Sequence, residues 1–228
     1  REMEAQRTRA RAASSFKAGE ALKYEGADTC FIGYDGLVHE KAKVLALYKN
    51  GQQVQELKAG DEGVIVLSDT PFYAESGGQV GDKGVLESRV TGHESRFEVA
   101  DTQKLKGQVF GHHGKLTSGA LKTGDVVSAT VTESVRRATM RNHSATHLMH
   151  RALRDVLGTH VTQKGSLVNE QRTRFDFAHG QPVTAEELAK VEQQVNRAIL
   201  ANVPVSANEM PYDDAIKAGA RALFGEKY

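Results

Sequence analysis

Residues 141–150 read RNHSATHLMH. Histidines at positions i and i+4 of a helix lie on one face, close enough for both imidazoles to bind one metal ion. At 3.6 residues per turn, one side of this helix is polar and the other is small or apolar. The polar side carries Arg136, Thr139, His143, Thr146, His147 and His150, and the apolar side carries Ala138, Ala145, Leu148, Met149, Ala152 and Val156. We predict that the apolar side enters a core while the histidine side lines a cleft.

The histidines alone leave two interpretations open. His143 and His147 are part of a metal site, which needs three or four ligands, or they are exposed or hydrogen-bonded imidazoles. Metalloproteases of the His-Glu-x-x-His type need a glutamate directly after the first histidine as general base, and Ser144 in that position argues against this class. A further pair, His112-His113, is flanked by glycines and lacks ligand spacing, so we expect it in a solvated turn.

The residues around the histidines predict an α+β region. The histidine helix is expected over residues 132–157, with Thr132 as its N-cap and Gly158 after its end. The elements expected after it are a strand over 173–178, a helix opened by the capping box Thr184-x-x-Glu187, a strand over 203–209 and a helix over 212–223.

Upstream, the pattern changes to short β-prone runs between glycines, over residues 28–131. Asn50-Gly51 between two such runs is a strong hairpin signal. Many short strands with turns indicate a small barrel or sandwich. Residues 2–17 are rich in Ala, Arg and Glu without Gly or Pro, which favours a helix. Because the chain opens on Arg1 inside this helical pattern, we expect a piece of a longer protein.

The composition says little about the kind of binding partner, because the formal net charge is only +1. Basic residues gather in two groups: Arg1, Arg7, Arg9, Arg11 and Lys17, then Arg136, Arg137 and Arg141. Such groups contact phosphate or form a solvated helix face, and we favour the solvated face. The one cysteine, Cys30, cannot form an internal disulfide, which fits a cytoplasmic location. No apolar run approaches the ~20 residues of a membrane helix, so no membrane partner is expected.

Several long motifs together carry a resemblance to a known family. They are residues 69–82 (DTPFYAESGGQVGD), 141–148 (RNHSATHL), 161–168 (VTQKGSLV), 173–177 (TRFDF), 209–215 (EMPYDDA) and 222–228 (ALFGEKY). The first resembles the glycine-rich segment in the β-barrel of alanyl-tRNA synthetases, and the others resemble the editing domain of that family. The resemblance covers the chain from about Cys30 onward and suggests a bacterial source.

The resemblance implies an α+β fold of two domains. Residues 1–25 would be the helical end of a tRNA-recognition region, 26–133 a small β-barrel like the second domain of elongation factors, and 134–228 an editing domain of the threonyl/alanyl-tRNA synthetase type, truncated at its C-terminus. The implied activity is hydrolysis of tRNA(Ala) that wrongly carries serine or glycine. The parent enzyme would attach alanine to tRNA(Ala), with ATP and Mg²⁺ bound in an aminoacylation domain outside these residues. A free-standing alanyl-tRNA deacylase and a non-catalytic tRNA-binding module are the alternatives.

The resemblance also implies a zinc site and two catalytic candidates. The family holds zinc with a His-x-x-x-His pair, matched by His143 and His147, and a later Cys-x-x-x-His pair that this sequence does not contain. We therefore expect zinc to bind weakly or not at all. Gln163 matches a residue of the editing pocket, or is a surface glutamine near a strand end. Thr146 contacts the substrate hydroxyl, or bonds to its own helix backbone.

Four further residues are candidates for contact with substrate or tRNA. Arg174 and Asp176 alternate with two phenylalanines and so share one strand face, where they line the pocket or pair with each other. Gly77 and Gly78 allow close approach of an RNA backbone or form a barrel corner or hairpin. No Gly-Lys-Ser/Thr phosphate-loop motif follows them, and we favour the structural role.

Overall fold

The structure, a computed structural model, describes residues 22–88, 94–206, 208 and 210–219. The chain divides into two compact units. The first takes residues up to Ser76 together with Val80–Arg136, and the second takes Gly77–Gln79 and the residues from Arg137 onward. The helix predicted over residues 2–17 lies outside the described residues, and the domain bounds expected at residues 26 and 134 stay predictions.

A closed six-stranded antiparallel β-barrel dominates the first unit, which confirms the barrel interpretation. Numbered in chain order and given in order of pairing, its strands are β2 (Val38–Lys49), β5 (Glu62–Leu67), β9 (Val109–Ser118), β8 (Ser95–Lys106), β7 (Gly84–Ser88) and β11 (Val126–Val131), which pairs again with β2. The hairpin predicted at Asn50-Gly51 is present. It joins β2 to β3 (Gln52–Val54), and both turn residues have positive φ, 52° and 80°.

Two short strand pairs complete this unit. They are β1 (Cys30–Phe31) with β6 (Asp69–Thr70), which run parallel, and β4 (Glu56–Lys58) with β10 (Ala120–Lys122), which run antiparallel. The barrel core consists of fully buried aliphatic and aromatic side chains from every barrel strand, among them Leu47, Leu67, Leu86, Phe97, Leu116 and Ala129. Their burial removes a continuous apolar surface from water, which is the main force that stabilises the barrel.

The prediction of a solvated turn at His112-His113 is wrong. Both residues lie on β9 and are buried, His112 completely. His112 Nδ1 lies 2.8 Å from the Ile65 carbonyl, which only accepts, so Nδ1 carries the proton. Nε2 then accepts from Thr70 Oγ1 at 2.7 Å. The prediction took the flanking glycines as the sign of a turn, but they allow close contact between strands. A Cβ at Gly114 would lie 1.9 Å from the Glu98 carbonyl.

Arg136 is also buried, contrary to the solvated face favoured from the sequence. Its guanidinium forms an ion pair with buried Asp82, with Nε 2.8 Å from Oδ2 and 2.9 Å from Oδ1. Its remaining N–H groups donate to the carbonyls of Gly33 at 3.1 Å and Pro71 at 2.8 Å. Asp82 Oδ2 accepts the Tyr73 N–H at 2.7 Å. A charge is tolerated in this buried place because nearly every donor of the guanidinium has a partner.

The second unit contains most of a long helix and a two-stranded sheet. Its elements are α1 (Glu133–Leu157), which begins in the first unit, β12 (Gln163–Val168), β13 (Thr173–Phe177), α2 (Ala185–Ala201) and α3 (Tyr212–Lys217). A small core of Ala152, Leu153, Val161 and Val191 is buried, with Phe175 and Phe177 packed against it. The predicted capping box of α2 is confirmed, since Thr184 Oγ1 accepts the Glu187 N–H and the Glu187 carboxylate accepts the Thr184 N–H.

Three predictions for residues 133–219 need correction. The polar side of α1 is the more buried one as far as Thr146, because Arg136, Thr139 and Thr146 are buried while Ala138 and Ala145 are only partly covered. No strand forms over residues 203–206. Val203 and Val205 stay 69% and 95% exposed there, and a strand without a partner leaves its backbone groups unpaired. The last helix ends at Lys217, and Gly219, at φ 93°, follows it.

Candidate functional site

The two histidines predicted to bind metal lie together on successive turns of α1. The His143 and His147 rings stack with centroids 4.9 Å apart and planes inclined by 16°. His143 is half-buried, and His147 is exposed. Burial lowers the pKa of His143 below its usual value, and the neighbouring imidazole of His147 lowers it further. The His143 ring is therefore neutral at neutral pH, which is the form that binds metal ions or accepts a proton.

A glutamine that sequence reasoning did not single out contacts this pair. Gln79 Oε1 lies 2.6 Å from His143 Nδ1, and Gln79 itself is buried. It follows Gly77 and Gly78 in the glycine-rich segment. The Gly78 carbonyl accepts the Val168 N–H at 2.8 Å, and Gln79 forms a parallel bridge with Val168. The glycine segment thus attaches to β12.

The two glycines have different surroundings. A Cβ at Gly78 would lie 2.8 Å from Ser166, and φ at Gly78 is 87°. Glycine is needed there for packing against Ser166. At Gly77, φ is 59° and nothing lies within 4 Å of the Cβ position. Gly77 therefore leaves open space where a ligand's backbone can approach, and its contact with RNA stays a prediction.

Thr146 faces the sheet of the second unit and is buried. Its hydroxyl lies 2.7 Å from the Asn142 carbonyl and donates to it. It lies 2.5 Å from Thr173 Oγ1, so the Thr173 hydroxyl must be the donor in that contact. The backbone bond that we gave as the alternative role is present. A substrate hydroxyl would therefore compete with Thr173 for the oxygen of Thr146.

Arg174 and Asp176 lie on the exposed face of β13 and pair with each other, with Nε and Oδ2 3.1 Å apart. Gln163 stands at the start of β12, opposite Phe177. Val168 lies five positions further along the strand, which is about 16 Å at ~3.3 Å per residue. The structure thus brings Gln79, Thr146 and Thr173 to the two histidines, whereas Gln163 lies towards the other end of the sheet.

The donors near the histidines fit part of a zinc site. With Nδ1 of His143 bonded to Gln79, its Nε2 remains as a metal-binding atom, and the stacked ring of His147 offers a second imidazole. Within residues 22–88, 94–206, 208 and 210–219, no group of three or more histidine, cysteine, aspartate or glutamate side chains is arranged to hold a metal ion. These imidazoles supply two of the four ligands that tetrahedral zinc takes.

Among the helices in the described part of the chain, none is long and apolar enough to cross a membrane.

Comparison with known proteins gives a family. The model for class II (A) tRNA synthetases matches residues 1–135. Alanine–tRNA ligase of Neisseria meningitidis serogroup B is 63% identical over all 228 residues, which make up 26% of that protein. Alanine–tRNA ligases of Delftia acidovorans and Burkholderia cenocepacia are 60% and 58% identical over 226 residues, 25% of each. The chain spans about a quarter of the length of the relatives it matches.

Proposed function

The chain belongs to the class II (A) tRNA synthetase family, and we propose that it is a segment of an alanine–tRNA ligase whose second unit hydrolyses mischarged tRNA(Ala). The relatives support the ligase as parent, because they are about four times longer than the chain and match it over its whole length. The same point favours a ligase segment over a free-standing deacylase. The parent would join alanine to tRNA(Ala) with ATP and Mg²⁺ in the cytoplasm.

The stacked histidine pair, in which half-buried His143 contacts Gln79, carries the proposal of hydrolysis. An aminoacyl ester is cleaved by a water that attacks its carbonyl, and the oxyanion needs stabilisation. Zinc held in part by His143 and His147 would polarise a water or anchor the aminoacyl group. The chain's own contribution is to orient the two imidazoles and to keep His143 neutral through burial.

Substrate selection is the second part of the proposal. Small side chains differ too little for one binding step to reach translational accuracy, so a second hydrolytic site corrects the error. Thr146 is the candidate for contact with a serine hydroxyl, because its oxygen already accepts from Thr173 at 2.5 Å and would accept from the substrate instead. Alanine has no hydroxyl to donate, so Thr146 would stay paired with Thr173 and the correct product would lack this contact.

The tRNA contacts are proposed on the exposed face of β13 and at Gly77 in the glycine-rich segment. The pair between Arg174 and Asp176 uses only the Nε of the guanidinium, and the other donors of Arg174 are suited to a phosphate. Gly77 adds space for close approach of the RNA backbone. Gln163 stays a candidate on the resemblance alone, because it stands at the start of β12, opposite Phe177 and away from Thr173.

The test measures deacylation of seryl-tRNA(Ala) by the complete ligase that contains this segment. Replacing both His143 and His147 by alanine should lower the rate at least about 100-fold, the usual contribution of a positioned catalytic group. A matched control is Gln171→Ala, at an exposed position. The proposal of hydrolysis is wrong if the double variant retains the parental rate.

A non-catalytic tRNA-binding module is the second candidate, since only two metal ligands meet among the described residues. Direct binding of uncharged tRNA(Ala) separates the two functions. A module that only binds would retain its affinity and show no hydrolysis in either the parental ligase or the double histidine variant.

A further inference from the structure

The contact between Gln79 and His143 joins residues 64 positions apart in the sequence. Both belong to the second unit, although Gln79 follows the barrel segment that ends at Ser76. A neutral imidazole has one N–H and one lone pair, and the partner of one nitrogen decides which nitrogen keeps the lone pair. An amide oxygen at 2.6 Å accepts a hydrogen bond, so Nδ1 of His143 must be the protonated nitrogen.

The backbone contacts around Gln79 hold this residue in position, so its contact with His143 does not depend on the side chain alone. Gly78 packs against the backbone of Ser166 with no room for a Cβ, and its carbonyl accepts the Val168 N–H. Gln79 forms a bridge with Val168 and is 6% exposed. A buried amide on a backbone held in this way has lost its rotamer freedom before any ligand binds, so the hydrogen bond to His143 is preorganised.

We propose that Gln79 is a positioning residue that holds His143 in the Nδ1–H tautomer and thereby leaves Nε2 as the nitrogen that binds metal. This deepens the proposed function and rests on it for the identity of the metal site. The glycine-rich segment then contributes to the site in two ways. Its two glycines shape the backbone, and the glutamine after them orients a metal ligand from outside the metal's own coordination sphere.

The tautomer is measurable without metal or tRNA. Long-range ¹H–¹⁵N correlation spectra of the 228-residue chain at about pH 8, above the usual imidazole pKa of ~6.5, distinguish a protonated Nδ1 from a protonated Nε2 at His143. We expect His143 to show Nδ1–H alone. Gln79→Leu should give a mixture of both tautomers, because the acceptor is lost. Gln79→Glu should restore Nδ1–H, because a carboxylate oxygen accepts the same hydrogen bond. Gln171→Leu is the matched control.

A second readout is the zinc affinity of the complete ligase, measured by competition with a chelator. Loss of a group that orients a metal-binding histidine weakens metal binding about 10–100-fold, so Gln79→Leu should show this change and Gln79→Glu should not. A merely structural glutamine would lower thermal stability in both variants equally and leave the tautomer unchanged.

The inference is overturned if His143 carries its proton on Nε2 in the parent chain, or if Gln79→Leu leaves Nδ1–H as the single tautomer. Failure of the proposed function gives a different pattern: the tautomer responds as expected, but the ligase does not hydrolyse seryl-tRNA(Ala). The tautomer result thus decides the role of Gln79, and the hydrolysis assay decides the function of the site.

Discussion

Acidification should destabilise the barrel through its fully buried histidine, His112. Burial lowers the pKa of this histidine from its usual 6.5 to about 4, more than the hydrogen bond to Ile65 can raise it. A difference of about 2.5 in pKa corresponds to roughly 3 kcal/mol at ~1.4 kcal/mol per unit. Desolvation sets the direction, because the charged imidazolium is disfavoured away from water. In the neutral ring, Thr70 Oγ1 accepts the Phe72 N–H and donates to Nε2, so a second proton on the ring would require the Thr70 hydroxyl to turn away.

The sign follows from proton linkage. The unfolded chain binds a proton to this histidine at about pH 6.5, and the folded barrel binds it only near pH 4. The stabilisation is therefore complete above about pH 6.5 and is lost as the pH falls to about 4. Below that, this residue contributes no further loss.

The assay is urea unfolding at several pH values between about 7 and 4, followed through NMR methyl signals of Ile65 and Leu116, which report on the barrel alone. The His112→Leu variant lacks the titrating group and should start less stable. The difference in unfolding free energy between the unsubstituted chain and the His112→Leu variant should then shrink by roughly 3 kcal/mol as the pH falls. His39→Leu, in β2 of the same barrel, is the control. Parent and His112→Leu curves that stay parallel within about 1 kcal/mol would refute the reasoning.

Two further predictions concern stability. Asp82→Ala leaves the Arg136 guanidinium buried without its carboxylate, so thermal unfolding should show a loss of about 3–5 kcal/mol in the free energy of unfolding. Asp176→Ala breaks an exposed pair and should cost no more than about 1 kcal/mol. Equal losses in the two variants would contradict the role of burial. Gly78→Ala should destabilise more than Gly77→Ala, because both have positive φ but only Gly78 lacks space for a Cβ. Urea unfolding of the two variants checks the order, and equal effects would show that φ alone decides.

The sequence predicted elements best where the signal is local. Asn50-Gly51 specifies its own turn through two positive φ values, and Thr184 with Glu187 caps a helix through bonds that span three residues. The barrel followed from repeated short strands between glycines. The order of pairing, in which β11 returns to β2, was not predictable because it depends on contacts between distant strands.

The prediction that the polar side of α1 faces a cleft was wrong for a related reason. Periodicity assumes that polar side chains face water, yet Arg136 and Thr146 are buried because each has partners distant in sequence: Asp82 for the arginine and Thr173 for the threonine. A buried polar face is stable once its groups are hydrogen-bonded. Asp82, the last residue of the glycine-rich segment, indicated that a positive partner was needed, but one sequence does not reveal which arginine pairs with it.

His112 and His143 show that desolvation of an imidazole can lead to different chemistry. Desolvation is the main cause of the lowered pKa in both, so both rings are neutral at neutral pH. In His112 the Ile65 carbonyl and the Thr70 hydroxyl occupy the two nitrogens, and no lone pair remains for a ligand. In His143 only Nδ1 is engaged, by Gln79, so Nε2 keeps its lone pair next to the second imidazole of His147. A lowered pKa therefore does not by itself distinguish the two histidines. The unengaged Nε2 of His143 does, and under the proposed function this gives the glutamine after Gly77-Gly78 as large a part in the site as the His-x-x-x-His spacing.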